Sequence, residues 1–203
     1  MFSRQALKTT WAETRPYVVF AVILFFAGVV AGGASHGSMG WLDSQIAALQ
    51  NLADQASASS HPRIAFFKTI LLNNVYKSVL SLYLGLAAAI MPIIMLVLNG
   101  VILGYLFGLA ADGGANVWLL FVKGILPHGI FELPAIFLAC GYGIRLGVQV
   151  VRGIGRALFG RADPWANVAR MLKMSVPVVL FIAVLLLVAA LLESTLTYQL
   201  VQP

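Results

Sequence analysis

The chain has 203 residues, of which 61% are hydrophobic and 10% are charged, and its net charge is +6. Soluble domains carry about 25% charged residues, so a chain with a mean hydropathy of +0.93 has too little polar surface for a water-soluble fold. The basic residues lack the interleaved aromatics of a single-strand binder, which argues against nucleic acid as a partner, and a single cysteine, Cys140, excludes an internal disulfide. The composition therefore predicts a polytopic protein whose first partner is the lipid bilayer.

The first predicted span is the charge-free stretch from Tyr17 to Ala34. It is long enough to cross a bilayer and follows three basic residues, so we interpret it as a retained signal anchor. A polar loop over residues 35–63 comes next. Within it, Asp43 or Ser44 is placed to cap a short amphipathic helix lying against the membrane surface or a partner.

Residues 64–111 are almost continuously apolar and are long enough for two crossings. Pro92 and the Asn99-Gly100 pair are both candidate positions for the break between them, and the pattern does not choose. Lys68 and Lys77 are expected to reach toward a membrane interface with their long side chains.

The next apolar stretch, ANVWLLFVKGIL, has 12 residues before Pro127 and is too short to span alone. We predict a re-entrant half-helix here, followed by a span over residues 130–148. A basic loop over residues 149–173 and a final span over residues 174–192 complete the chain. The predicted fold is an all-α membrane helix bundle forming a single domain over residues 1–203, with about five spans plus the half-helix.

The distribution of lysine and arginine predicts the orientation in the membrane. Basic residues concentrate before the first span and in the loop over residues 149–173. The positive-inside rule places both of these segments in the cytoplasm. The loop over residues 35–63 and the C-terminal tail are then extracytoplasmic, which fits an odd number of crossings and a bacterial cytoplasmic membrane protein.

Ionisable groups stand inside the apolar segments. His128 and Glu132 are four residues apart, one helical turn, and Pro127 suits the first turn of that helix. One interpretation is a structural hydrogen-bonded pair; the other is an ion, proton or metal site, since Glu132 is costly in hydrocarbon. Glu193 either lies at the interface or points toward this pair. His128, Glu132 and Glu193 are weak metal candidates because they lack a metalloprotease motif.

Small and amide residues form a second pattern. Asn73, Asn74 and Asn99 are expected to form hydrogen bonds between helices. Glycines spaced four residues apart let helix backbones approach closely, within one chain or, alternatively, across a homodimer seam. These glycines are Gly28, Gly32, Gly100, Gly104, Gly108, Gly143 and Gly147.

Several of these pieces occur together in an order that resembles the stage II sporulation protein M family, over roughly residues 64–195. The matching pieces are ILPHGIFELPAI, GYGIRLG, the two asparagine sites and the AALLE that ends in Glu193. The positions matching the family's motif are Asn73, Asn74, Asn99, Gly100, Pro127, His128, Gly129, Glu132 and Glu193.

The resemblance implies an integral membrane protein of about five spans that works with peptidoglycan-degrading partners during engulfment in spore formers. From it we expect a non-enzymatic component, without a cofactor, that scaffolds or localises peptidoglycan-remodelling membrane proteins. The alternative is a channel or transporter that uses the histidine and glutamate as an ion or proton site. An intramembrane metalloenzyme is a minor third hypothesis.

Overall fold

A computed structural model of the chain describes residues 3–35 and 40–194, and in these ranges the chain is helical, without β-strands. The seven α-helices are α1 Arg4–Gly33, α2 Gly40–Ser57, α3 Pro62–Leu84, α4 Ile90–Asp112, α5 Val117–Leu120, α6 Leu126–Leu158 and α7 Ala166–Leu192. A π-helical segment, Phe121–Ile125, joins α5 to α6.

Within the described ranges, four helices are long and apolar enough to cross a membrane: α1, α4, α7 and most of α6. Helix α3 is as long as α4, with 23 residues, but it carries more polar side chains. Large apolar side chains such as Ile23, Val30 and Val184 lie exposed on the outside of the bundle, as lipid-facing residues do. The predicted all-α membrane bundle is confirmed.

Helix α6 lies at the centre of the bundle, since residues 141–147 are buried without interruption. On one side it packs with α3 and α7 around Leu82, Tyr142 and Leu186. On the other side it packs with α1 and α4 around Phe25 and Leu96. Every long helix therefore contacts the one that carries Glu132.

Neighbouring contacts fix the directions of the helices. Helices α1, α4 and α7 run one way, and α3 and α6 run the other way. Helices α1 and α4 are parallel, because Gly28 lies next to Gly100 and Gly33 next to Gly108, and α3 and α6 are parallel, because Asn74 contacts Glu132 and Gly85 contacts Gly143. Helix α6 is antiparallel to α1, because Val18 contacts Gly141 and Phe25 contacts Phe137. It is also antiparallel to α7, because Tyr142 bonds to Met171 and Gln149 bonds to Asn167.

The two ends of the bundle differ in charge. The end at which α1, α4 and α7 begin, here called the basic end, holds Arg145, Arg152, Arg156, Arg161, Arg170 and Lys173. At the opposite end, the Tyr105 hydroxyl of α4 donates to the Asp43 carboxylate at 2.9 Å and ties α2 to the bundle. Asp43 therefore lies inside the first turn of α2, which begins at Gly40, rather than capping it.

The predicted small residues lie where helix backbones meet. A side-chain carbon on Gly28 would come within 2.7 Å of the Val97 carbonyl oxygen, and one on Gly104 would overlap the Val29 carbonyl oxygen. Helix α1 thus occupies the glycine stripe of α4 within one chain. Gly143 similarly admits the backbone of α3 at Ser81 and Leu82, and Gly147 admits the backbone that follows α3 at Gly85 and Ala89.

The break between α3 and α4 falls at residues 85–89, just before Pro92, and not at Asn99-Gly100. Ala88 and Ala89 adopt left-handed backbone angles, with φ of 54° and 67°. Pro92 is the third residue of α4, where its missing N–H leaves no helical hydrogen bond unmade. Asn99 and Gly100 lie within the unbroken helix α4.

The segment that precedes Pro127 continues directly into α6. Helix α5, the π-helical segment and α6 follow one another without a turn from Val117 to Leu158. Trp118 and Leu119 are exposed at the start of this run. The re-entrant course predicted for this segment is not confirmed, because no turn separates it from the span.

Candidate functional site

Helix α3 carries a polar stripe that borders a cavity shared with α4 and α6. Asn74, Lys77, Ser78 and Ser81 are spaced i, i+3, i+4 and i+7, which places them on one face of a helix. Ser78 and Ser81 are buried. Lys77 is exposed at the edge of the stripe, and its reach toward a membrane interface stays a prediction.

The stripe meets Glu132 on α6. The Nδ2 atom of Asn74 donates a hydrogen bond of 2.9 Å to Oε1 of Glu132. The bond joins α3 to α6 through two residues that are 58 positions apart in sequence. The Nδ2 atom of Asn73 donates to Oδ1 of Asn74 at 3.4 Å. Asn74 therefore forms the predicted bond between helices, with the motif glutamate as acceptor, whereas Asn73 bonds within α3.

A small cavity of about 50 Å³ separates α3, α4 and α6 at this point. It is lined by the α3 stripe, by Asn99 of α4 and by Glu132, with Met95, Ile136 and Cys140 completing the wall. Lys77 attracts the Glu132 carboxylate electrostatically. Asn99 donates to the Met95 carbonyl oxygen of its own helix at 2.7 Å, so it borders the cavity without bonding to α6.

Glu193 lies at the end of α7, and its carboxylate is close enough to Glu132 for the two negative charges to repel each other. The structure thus brings together Asn73, Asn74, Asn99, Glu132 and Glu193, which the sequence had singled out separately. Gly100 faces α1 instead.

The remaining motif residues lie at the start of α6. Pro127 is half-buried and Gly129 is buried. The backbone of His128 is helical, but its side chain lies outside the described part of the structure, so the pairing of His128 with Glu132 stays a prediction. Among the described residues, no three His, Cys, Asp or Glu side chains are grouped to hold a metal ion.

A second polar cluster, at the basic end, was not anticipated. Arg145 is 5% exposed, and it pairs with Glu13 of α1 and donates to the Thr14 hydroxyl at 3.0 Å. Arg170 of α7 also binds Glu13, at 3.1 Å. Because Arg145 and Glu13 are 132 residues apart, no local sequence pattern predicts their contact. From the sequence, the basic residues of this region indicated only the side of the membrane on which they lie.

Comparison with known proteins places these features in a family. An uncharacterized protein of Methanocaldococcus jannaschii is 27% identical over 128 residues, which is 63% of this chain and 53% of that protein. The chain thus spans about half the length of this relative. No solved structure matches the chain. The family described as Stage II sporulation protein M matches residues 20–198, a range that contains the whole polar cavity and both glycine-packed helix pairs. The chain belongs to the stage II sporulation protein M family.

Proposed function

We propose that the protein is a non-enzymatic membrane scaffold that holds partner proteins at a bacterial cytoplasmic membrane. The observation that carries this proposal is that the polar interior joins helices and encloses only a small cavity. A hydrogen bond from the Asn74 amide to the Glu132 carboxylate joins two helices beside a cavity of about 50 Å³, which has room for one or two water molecules. A network of this size suits the fixing of helices in place better than the passage of a substrate.

The close helix contacts support the same proposal. Helices α1 and α4 touch through their backbones at Gly28, Gly100 and Gly104, and α3 meets α6 at Gly85 and Gly143. Such contacts leave little freedom for the rocking of one half against another by which many transporters work. A rigid bundle is suited to presenting α2 and the basic end as fixed surfaces on the two sides of the membrane.

Family membership suggests which partners to test. We propose that they are peptidoglycan-remodelling membrane proteins, reached from the extracytoplasmic side, where α2 would lie. The expected result is that these enzymes co-purify with the tagged chain after cross-linking in the source cell. They should lose their membrane placement when the chain is deleted and regain it when the chain is restored.

A flux assay separates this proposal from ion or proton transport. The purified chain is reconstituted in liposomes carrying a pH-sensitive dye, and a proton, Na⁺ or K⁺ gradient is imposed. A scaffold gives the same dye response as protein-free liposomes, and so does the Glu132→Gln variant. Flux through the wild-type chain that Glu132→Gln abolishes would overturn the scaffold proposal.

A further inference from the structure

A cleft away from the motif residues lies between α1, α6 and α7 at the basic end. Its volume is about 320 Å³, within the range of small-ligand pockets. Its walls combine hydroxyl groups of Thr9 and Thr10, the guanidinium groups of Arg145 and Arg170, and the apolar side chain of Met174. A ligand that fits it has a polar, negatively charged part and an apolar part.

The charge of the cleft is positive. Two guanidinium groups and one carboxylate, that of Glu13, line it. Arg145 is held by Glu13, by the Thr14 hydroxyl and by the Thr10 carbonyl oxygen. Arg170 contacts Glu13 through Nη2 alone and is 54% exposed, so its other donors are available to an anion.

The depth of the cleft matches that of lipid headgroups. Glu13 lies about one helical turn before Tyr17, where the charge-free part of α1 begins, and Arg170 lies one turn before Met174 on α7. Hydrocarbon therefore begins about 6 Å from the charged groups, which is the thickness of a headgroup layer. Met171 and Met174 extend the wall from the arginines toward that hydrocarbon.

We propose that this cleft binds one anionic phospholipid. Its phosphate accepts hydrogen bonds from Arg170 and the Thr10 hydroxyl, and one acyl chain lies along Met174. Basic pockets between membrane helices suit such headgroups. The site does not depend on the proposed scaffold role, because its ligand is a lipid of the surrounding membrane.

Native mass spectrometry of the detergent-purified chain, titrated with phosphatidylglycerol or phosphatidylcholine, tests the proposal. Phosphatidylglycerol is expected to bind at a ratio of one and phosphatidylcholine at least tenfold more weakly. Arg170→Gln should lower the affinity for phosphatidylglycerol by about fivefold or more, the effect of one basic contact. Arg161→Gln, which removes the same charge at the same end but outside the cleft, should leave it within about twofold.

A second variant covers the case in which Arg170→Gln unfolds the chain. Ala6 lines the cleft in the first turns of α1, where a carboxylate suits the helix dipole. Ala6→Glu should therefore fold and should repel the headgroup, again lowering the affinity. Equal losses in Arg170→Gln and Arg161→Gln would overturn the site, since they indicate diffuse attraction. Glycerol phosphate binding as tightly as the lipid would also overturn it, in favour of a small-anion site.

Discussion

At the scale of single residues, the central feature is a carboxylate within a membrane-spanning helix. An ionised group inside hydrocarbon costs several kcal/mol unless it is paired or hydrogen-bonded. Glu132 receives a hydrogen bond from Asn74 and lies in the field of Lys77. Both partners belong to α3, so the hydrogen bond that satisfies the carboxyl group also holds α3 against α6.

This bond predicts an energetic coupling between Asn74 and Glu132. Asn74→Leu and Glu132→Leu should each destabilise the bundle, because each leaves a polar partner without its hydrogen bond. The double variant should lose less than the sum, with a coupling of about 0.6 to 2 kcal/mol, typical of polar contacts between membrane helices. Chemical unfolding of the four proteins in mixed micelles measures it.

A matched control uses the amide of Asn167, which bonds to Gln149 near the other end of α6. That pair lies about 25 Å along the helix from Glu132, so Asn167→Leu and Glu132→Leu should be additive. Additive losses for Asn74 and Glu132 would show instead that the two side chains do not bond in the membrane.

The sequence predicted part of this site. It predicted that Glu132 faces the interior, because an ionised carboxylate is costly in lipid. It suggested His128 as the partner, since local spacing favours the nearest group, whereas the described partner, Asn74, comes from another helix. The pairing of Arg145 with Glu13 depends on how α1 packs on α6, and such long-range packing leaves no local pattern.

At the scale of elements, the contact between α1 and α4 follows from the glycine spacing. A methyl group on Gly104 would overlap the Val29 carbonyl oxygen, whereas one on Gly108 would lie 3.5 Å from the Gly33 carbonyl oxygen. Gly104→Ala should therefore cost about 1 to 3 kcal/mol through overpacking. The larger Gly104→Leu change should separate the two helices.

Gly108→Ala is the matched control for this prediction. It lies on the same stripe in ordinary contact, and alanine favours a helix over glycine, so the change should be neutral or slightly stabilising. Thermal unfolding in detergent measures both variants. Equal stability of the two would mean that α1 does not approach α4 at Gly104.

The break between α3 and α4 shows what the sequence could not predict at this scale. Leu84 and Ile90 are joined by GLAAA, in which only glycine signals a turn. The left-handed backbone of Ala88 and Ala89 is unfavourable for alanine. We infer that it is adopted because Gly85, Gly143 and Gly147 let the turn rest directly on α6. Packing, rather than local preference, thus sets the position of the break.

At the scale of the whole molecule, the helix directions connect charge to orientation. Since α1, α4 and α7 begin at the basic end, the segment between α2 and α3 lies at the end opposite to the loop between α6 and α7. From the positive-inside rule we predict that the basic end lies in the cytoplasm and α2 outside. This orientation requires that α3, despite its polar stripe, crosses the membrane.

The orientation is tested with single cysteines in a Cys140→Ser background. Ser60 and Ala162 are both exposed, one before α3 and the other between α6 and α7. A membrane-impermeant maleimide should label Ser60→Cys in intact cells and should label Ala162→Cys only after permeabilisation. The reverse pattern would invert the protein in the membrane. Labelling of both in intact cells would mean that α3 does not cross the membrane. Without that crossing, α6 would end outside the cell, and Ala162 would lie on the same side as Ser60.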